Sequence, residues 1–333
     1  MNERMLITGG SGFLGYHLIQ AAKAEGLDVD AGVRGSSHTD HLRGMGVGLV
    51  DLPYDTKSSL SAQLAEGGYR YIVHAAAVTR AKSASVYEQV NVCYADRLGQ
   101  AAMESGIPLA SFVYVSSLAA IGPLPYQPGL FINERTVPQP VTEYGRSKLE
   151  AERRLRAIDG LPLRIVRPTA VYGPRERDLL VLFKAIARGV DAYIGSTPQL
   201  LSFVYATDLA KVIIKAALVA SGSGETREYN ISDGQVYGRY DMADILADIF
   251  QKKARRIHLP TGMVRLVAEG MAAAYRKSAT MPVIYPERIH ELTAANWACD
   301  ITRAKQELGY MPAYDLEKGL HKAIAWYKSQ RWL

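Results

Sequence analysis

Tyr144 and Lys148 are the residues of this chain whose types and spacing most plainly suggest chemistry. They stand four apart at the head of a charged stretch that continues to about Ile158 and is expected to be helical, so both side chains leave one face of a helix. An ammonium beside a phenol lowers the phenol's pKa. A tyrosine tuned in this way can give or take a proton at the oxygen of a carbonyl or carbinol carbon. The pattern is short, and in a chain with 20 tyrosines it recurs by chance, at Tyr314 and Lys318. Position separates the two pairs. The first follows a strand-like run, Phe112 to Val115, that ends in Ser116-Ser117, and then a Pro/Gly-rich loop from Gly122 to Pro140. Loops of that length inside a compact domain are usually functional. The second pair lies far past the strand-like segments and is set aside.

The proton chemistry needs a redox partner, and the N-terminus supplies a place for one. An apolar run, Met5-Leu6-Ile7, leads into TGGSGFLG (Thr8 to Gly15) and then into a helix-periodic segment with Leu14, Leu18 and Ala22 on one face. Strand, glycine turn and helix form the context of a dinucleotide fingerprint. Gly9 permits the tight turn, Gly12 lets the backbone approach a pyrophosphate, and Gly15 lets the helix pack against the strand. Ser11, Phe13 and Leu14 complete the turn, and phosphates are expected at the helix N-terminus, where free N–H groups favour an anion. Asp28 to Val33 alternates like a second strand and ends at Arg34, 25 residues past Gly9. An acidic residue there would bond the ribose 2′-hydroxyl of NAD, whereas an arginine pairs with the 2′-phosphate of NADP. NADP is therefore the expected cofactor, with NAD the alternative. Ser36, Ser37, His41 and Arg43 are further phosphate neighbours, and Asp51 and Leu52, after a third strand at Val47 to Val50, are placed to flank the adenine.

Further strands are expected at Tyr71 to Val73, Leu163 to Val166, Ser202 to Tyr205 and Tyr229 to Ile231. Small residues Ala75, Ala76 and Ala77 after the fourth strand leave room for a cofactor across the strand ends, as do Pro168 and Thr169 after the sixth. A helix from about Tyr87 to Ser105 carries Asn91. Strands that alternate with helices argue an α/β fold with a Rossmann-type, doubly wound parallel sheet. The dinucleotide-binding domain is expected over 1–170 plus about 200–232, and a smaller, mostly C-terminal substrate lobe over about 171–199 and 233–333. That lobe reads as helical at Asp178 to Arg188, Asp241 to Phe250, Met263 to Arg276 and Ile301 to Leu308, with Asp208 and Asp300 as helix caps and Gly309 as a stop. Candidate substrate neighbours are Val78, Thr79, Ala120, Ile121, Thr169, Arg175 and the helix from Met263 to Tyr275.

The composition, 48% hydrophobic and 22% charged, is that of an ordinary globular protein. Two cysteines argue against a disulfide framework and for a reducing, cytoplasmic setting. No signal peptide precedes the first strand, and no apolar run is long enough to span a membrane; Val212 to Ala220 is short and carries Lys215. A net charge of +6 suits an anionic cofactor, but the basic residues are scattered and form no nucleic-acid stripe. No metal site is expected. The expected partner is a small-molecule substrate, and a homodimer is an open alternative to a monomer.

Taken in order, TGGSGFLG, HAAA at 74–77, Asn91, YVSS at 114–117, YGRSK at 144–148, RPTAVYGP at 167–174 and FVYATDLA at 203–210 resemble the extended short-chain dehydrogenase/reductase family, which includes nucleotide-sugar epimerases and dehydratases. The resemblance covers nearly the whole chain. It implies that Tyr144 is the acid/base, that Ser117 (five residues before Gly122) orients the substrate oxygen, that Lys148 holds the nicotinamide ribose and tunes Tyr144, and that Asn91 supports the proton path. The departures are informative. Family dehydratases carry an Asp-Glu pair where this chain has Leu118 and Ala119. Nucleotide-sugar epimerases usually carry an asparagine where it has Ala170. The Arg-Pro-Thr wording and Arg34 are closer to 3β-hydroxysteroid dehydrogenases and dihydroflavonol reductases. The resemblance thus implies hydride transfer at a secondary alcohol or ketone of a relatively apolar molecule. A nucleotide-sugar epimerase is the alternative, and a non-catalytic NADP sensor a lesser one, since such sensors typically lose the tyrosine or lysine that this chain keeps.

Overall fold

Met5, Leu6 and Ile7 are fully buried, yet they do not serve the same core. Met5 and Ile7 pack with Leu18, Ile19, Ile213 and Ile214. Leu6 packs on the opposite face with Leu60, Leu64, Leu98 and Leu155. The period-two alternation of a strand thus feeds two apolar layers, which requires helices on both faces of the sheet. Each large apolar side chain so buried contributes about 1.5–3 kcal/mol. The computed structural model describes residues 3–35, 37–219, 224–275 and 285–333. Ser36, Ala220 and Arg276 lie outside the described residues.

Seven strands form the main sheet: β1 (Arg4–Thr8), β2 (Asp28–Val33), β3 (Gly48–Asp51), β4 (Tyr71–His74), β5 (Ser111–Val115), β6 (Leu163–Pro168) and β7 (Arg227–Ile231). Their order is β7-β6-β5-β4-β1-β2-β3, and every pairing is parallel. The helix Phe13–Ala24 and the helix Ala206–Leu218 contribute to one apolar layer. Lys57–Gly67, Tyr94–Glu104 and Glu143–Arg156 contribute to the other. The chain winds outward from β1 through β3, then crosses to β4 and winds the other way. The crevice between the carboxyl ends of β1 and β4 is therefore the topological switch point, where such sheets bind ligands.

A separate apolar cluster joins Tyr172, Phe183, Met242, Leu246, Leu320 and Tyr327. It is built by the helices Leu180–Ala187, Asp241–Ile249 and Leu316–Ser329. Beside it, Val190–Ile194 pairs in parallel with Arg255–Leu259.

Several expectations need correction. The helix Leu316–Ser329, capped by Asp315 through the Lys318 N–H, lies beyond the last one expected. Asp208 does not cap the helix Ala206–Leu218 but sits in its first turn, where it accepts the N–H groups of Ala313 and Tyr314 at 2.8 and 2.9 Å. Asp300 stands one residue before the cap position of Thr302–Leu308, although it still accepts the Thr302 N–H at 2.7 Å. Gly309 ends that helix with φ +55°. The loop from Gly122 to Pro140 is held by the C-terminal segment, through bridges of Leu124 to Asn296 and Ile132 to Cys299.

Candidate active site

The glycine turn is shaped by close backbone approaches. Gly9 has φ +71°, and a Cβ there would lie 2.9 Å from Ala76 Cα. A Cβ on Gly15 would lie 2.2 Å from the Gly9 carbonyl oxygen. Only glycine brings the strand, the turn and the helix Phe13–Ala24 this close. Gly12 occupies the cap position in extended conformation, and no side chain caps the helix. Its first N–H groups therefore remain available to an anion. Ser11, Phe13 and Leu14 are half-buried around them. Across the crevice, Ala75, Ala76 and Ala77 are likewise half-buried. Thr8 joins the two sides: its Oγ1 accepts the Ala76 N–H at 3.2 Å and meets His74 Nδ1 at 2.8 Å. Burial pulls the His74 imidazole down to about 3, so it is neutral and lends the crevice no charge.

Arg34 is exposed just past β2, with its backbone N–H donated to Ser37 Oγ at 3.1 Å. Its guanidinium has no ion-pair partner among the described residues. Asp51 lies beside it, as the register partner of Val33, and is exposed. Leu52 is buried, its Cδ1 against Gly32. Pro168 and Thr169 are buried at the end of β6, where Thr169 donates its N–H to Ile231 O at 3.0 Å.

The proton-transfer candidates meet beyond β5. Ser117 caps the short turn Leu118–Ala120 by accepting the Ala119 N–H at 3.2 Å. The helix Glu143–Arg156, capped by Thr142, sits directly on this turn: a Cβ on Gly145 would lie 2.3 Å from Ala119 O. That seating sets the Tyr144 phenol close enough to Ser117 for the hydroxyl to act on its pKa. Burial pushes the phenol well above its usual pKa, and Ser117 offsets only part of the rise. Lys148 is 2% exposed and donates Nζ to Val115 O at 2.8 Å. Burial pulls its amine down to about 7, against an opposing pull from Glu152.

Behind them, Glu152 accepts from Nε and Nη2 of Arg167 at 2.9 and 2.6 Å and from the Ser116 hydroxyl at 2.6 Å, which ties the helix to β5 and β6. Asn91 lies in a π-helical segment, Glu88–Cys93. It accepts the Val78 N–H at 2.8 Å and donates to Val78 O and Ser147 Oγ, each at 3.0 Å. It thus clamps the loop after β4 to the tyrosine helix. Tyr314 and Lys318 share no helix face: Tyr314 precedes the helix Leu316–Ser329 and packs on Tyr205 at 4.5 Å, while Lys318 pairs with Asp315 at 3.0 Å.

From Ser117 a cavity of ≈ 600 Å³ runs between the sheet end and the C-terminal segments. Leu182, Leu201, Phe203, Met242, Val264 and Trp297 give it apolar walls. Of the substrate neighbours expected from sequence, Thr169 lines it, whereas Ala120 and Ile121 are buried in the core. Its arginines are engaged. Arg239 donates to Thr197 O, Ile194 O and Gly195 O at 2.6, 2.5 and 2.9 Å, and Arg288 faces Asp178 at 3.7 Å. Sequence reasoning missed Glu291 and Arg288, which belong to the short helix Pro286–Leu292 and carry no local motif.

Known proteins share this plan. A ceramide reductase of Caulobacter vibrioides is 28% identical, with 98% of this chain and 95% of that one covered. A 3 beta-hydroxysteroid dehydrogenase/Delta 5→4-isomerase of Mycobacterium tuberculosis is 25% identical over 98% of this chain and 90% of its own length. The crystal structure of UDP-glucose 4-epimerase from Thermotoga maritima with UDP-glucose superposes with a TM-score of 0.76 at 20% identity, covering 98% and 99% of the two chains. The pattern that defines one family of such folds matches residues 5–232, from β1 through the end of β7, and the chain belongs to the NAD dependent epimerase/dehydratase family.

Proposed function

We propose that this protein is an NADP-preferring oxidoreductase that transfers hydride to or from a secondary alcohol or ketone of a relatively apolar small molecule. The observation that carries the reading is the cavity beside Ser117: its walls are aliphatic and aromatic, Arg239 is bonded to three backbone carbonyls, and Arg288 faces the carboxylate of Asp178 at 3.7 Å. A sugar nucleotide would need cations free to pair with its diphosphate. The names of the ceramide reductase and hydroxysteroid dehydrogenase relatives agree with a lipid-like substrate.

In this reading the glycine turn and the open helix end hold the pyrophosphate, and Arg34 pairs with a 2′-phosphate. The bound nicotinamide supplies the hydride in reduction and takes it in oxidation. Tyr144 protonates the carbonyl oxygen as the carbon is reduced, and burial keeps the phenol protonated for that step. Ser117 positions the same oxygen. Lys148 would hold the nicotinamide ribose, and Asn91 would support resupply of the proton. Leu118 and Ala119 offer neither acid nor base, so 4,6-dehydration of a sugar is not expected. The test is nicotinamide absorbance with NADPH and a panel of sterol, flavonoid and long-chain ketones beside UDP- and dTDP-sugars. Oxidation of NADPH by an apolar ketone supports the reading; 4-epimer conversion without net cofactor use overturns it.

A further inference from the structure

Glu291 is a carboxyl without a dedicated partner in an apolar cavity. It lines the same space as Ser117 and Trp297. Its charge is felt at Tyr144, so it stands near the proposed proton donor. It makes no hydrogen bond or ion pair with another described side chain. Arg288, the cation nearest to it in effect, is held by Asp178, which also pairs with Arg80. Its charge is also felt at Tyr87 and Tyr285. Burial raises the Glu291 carboxyl above its ordinary pKa.

The backbone that carries it is tied down. Trp297 Nε1 donates to the Glu291 carbonyl at 3.3 Å, and Gln199 donates to the carbonyls of Leu292 and Ala294 at 2.9 and 2.8 Å. The half-buried carboxyl has no internal donor, so water must serve it, and a ligand that displaces that water must bring a donor of its own. Apolar walls alone would accept any greasy molecule of the right size. One fixed acceptor selects among them, because a ligand lacking the matching donor leaves that acceptor unpaired.

We propose that Glu291 accepts a hydroxyl or amide N–H carried by the substrate a few bonds from the carbon that reacts at Tyr144, so that the substrate class is an apolar chain with a second polar donor beside its reactive ketone or alcohol. This rests on the oxidoreductase reading for the identity of the reacting carbon, but the experiment separates the two. Binding of 1-hydroxydodecan-3-one and of dodecan-3-one is measured by calorimetry on protein saturated with oxidised cofactor, which cannot reduce either ketone. The wild type is expected to bind the hydroxyketone about tenfold more tightly. Glu291→Ala should bind the two alike, and Glu291→Gln, which retains an acceptor, should keep most of the preference. A purely structural role would not move this ratio. No preference in the wild type, an unchanged preference in Glu291→Ala, or no binding of either ketone overturns the proposal. Consumption of NADPH with the same ketones is followed separately. Selective binding without consumption would leave Glu291 as the anchor and remove the redox reading.

Discussion

The cleft has two walls made by different means. On the sheet side, backbone does the shaping: the Gly9 carbonyl, the Ala76 backbone and the uncapped start of Phe13–Ala24 lie within van der Waals reach, and side chains are mostly absent. On the far side, side chains do it, drawn from Ser117, Phe203, Met242, Val264, Glu291 and Trp297, which the fold gathers from across 180 residues of chain. A backbone cradle fits what all dinucleotides share, a pyrophosphate. A side-chain wall fits one substrate class. In the proposed reading, cofactor and substrate recognition are separable, and they meet at Ser117, which lines the cavity, and at Tyr144 beside it.

The strongest way to break that division is at the meeting point. Tyr144→Phe should lower turnover by about 10²–10⁴-fold, the usual share of general acid–base catalysis, while calorimetry shows cofactor affinity intact. Tyr314→Phe should leave turnover near wild type, since Tyr314 packs on Tyr205 away from the cleft. Full activity in Tyr144→Phe would end the proposed mechanism.

Gly15→Ala tests whether backbone alone sets the cofactor wall. The new Cβ would meet Gly9 O at 2.2 Å, so denaturant unfolding should show a loss of about 3 kcal/mol together with weaker cofactor binding. Gly262→Ala, where nothing lies within 4 Å of the added carbon, should cost nothing measurable. Equal stability of the two variants would contradict the close-approach account.

Arg34 is the side chain that the proposed reading adds to the backbone cradle. Arg34→Ala should weaken NADPH binding about tenfold and leave NADH binding nearly unchanged, because only the 2′-phosphate loses a charge-assisted contact. Equal losses for both cofactors, or a wild-type preference for NADH, would assign Arg34 to the surface instead.

The pH dependence of stability turns on Lys148. Its amine falls from 10.5 in the unfolded chain to about 7 in the folded one. Between those values the unfolded state binds a proton that the folded state refuses, so folding stability drops as pH falls from about 10 to about 7 and levels below. Lys148→Met removes that penalty. The melting temperature of the variant relative to wild type should climb by about 2 °C or more across the interval as pH is lowered. A difference that does not change with pH would mean that the amine is solvated.

What could be seen in the sequence follows the same division. The turn at Thr8 to Gly15 declares itself because its contacts are local, and β4, β5 and β6 declare themselves because strands buried on both faces are apolar runs. The cavity does not, because Glu291 or Trp297 looks like any other helix or loop residue until the fold sets it beside Ser117. Asp208 reads as a helix cap because the N–H groups it accepts lie a hundred residues away, at Ala313 and Tyr314. The π-helical segment around Asn91 has ordinary helix composition, so periodicity does not reveal it. The final helix did leave a signal, Leu316, Leu320 and Ile324 at four-residue spacing, past the stop at Gly309.

The claim that most needs testing is that the apolar wall receives a molecule that is oxidised or reduced once and released. Purified protein is incubated with NADPH and long-chain or polycyclic ketones, and in parallel with UDP-glucose and no added cofactor, with nicotinamide absorbance and proton NMR read on each. The account predicts one NADPH oxidised per ketone reduced and an unchanged UDP-glucose spectrum. Appearance of the 4-epimer without any change in absorbance, and no ketone turned over, would contradict it.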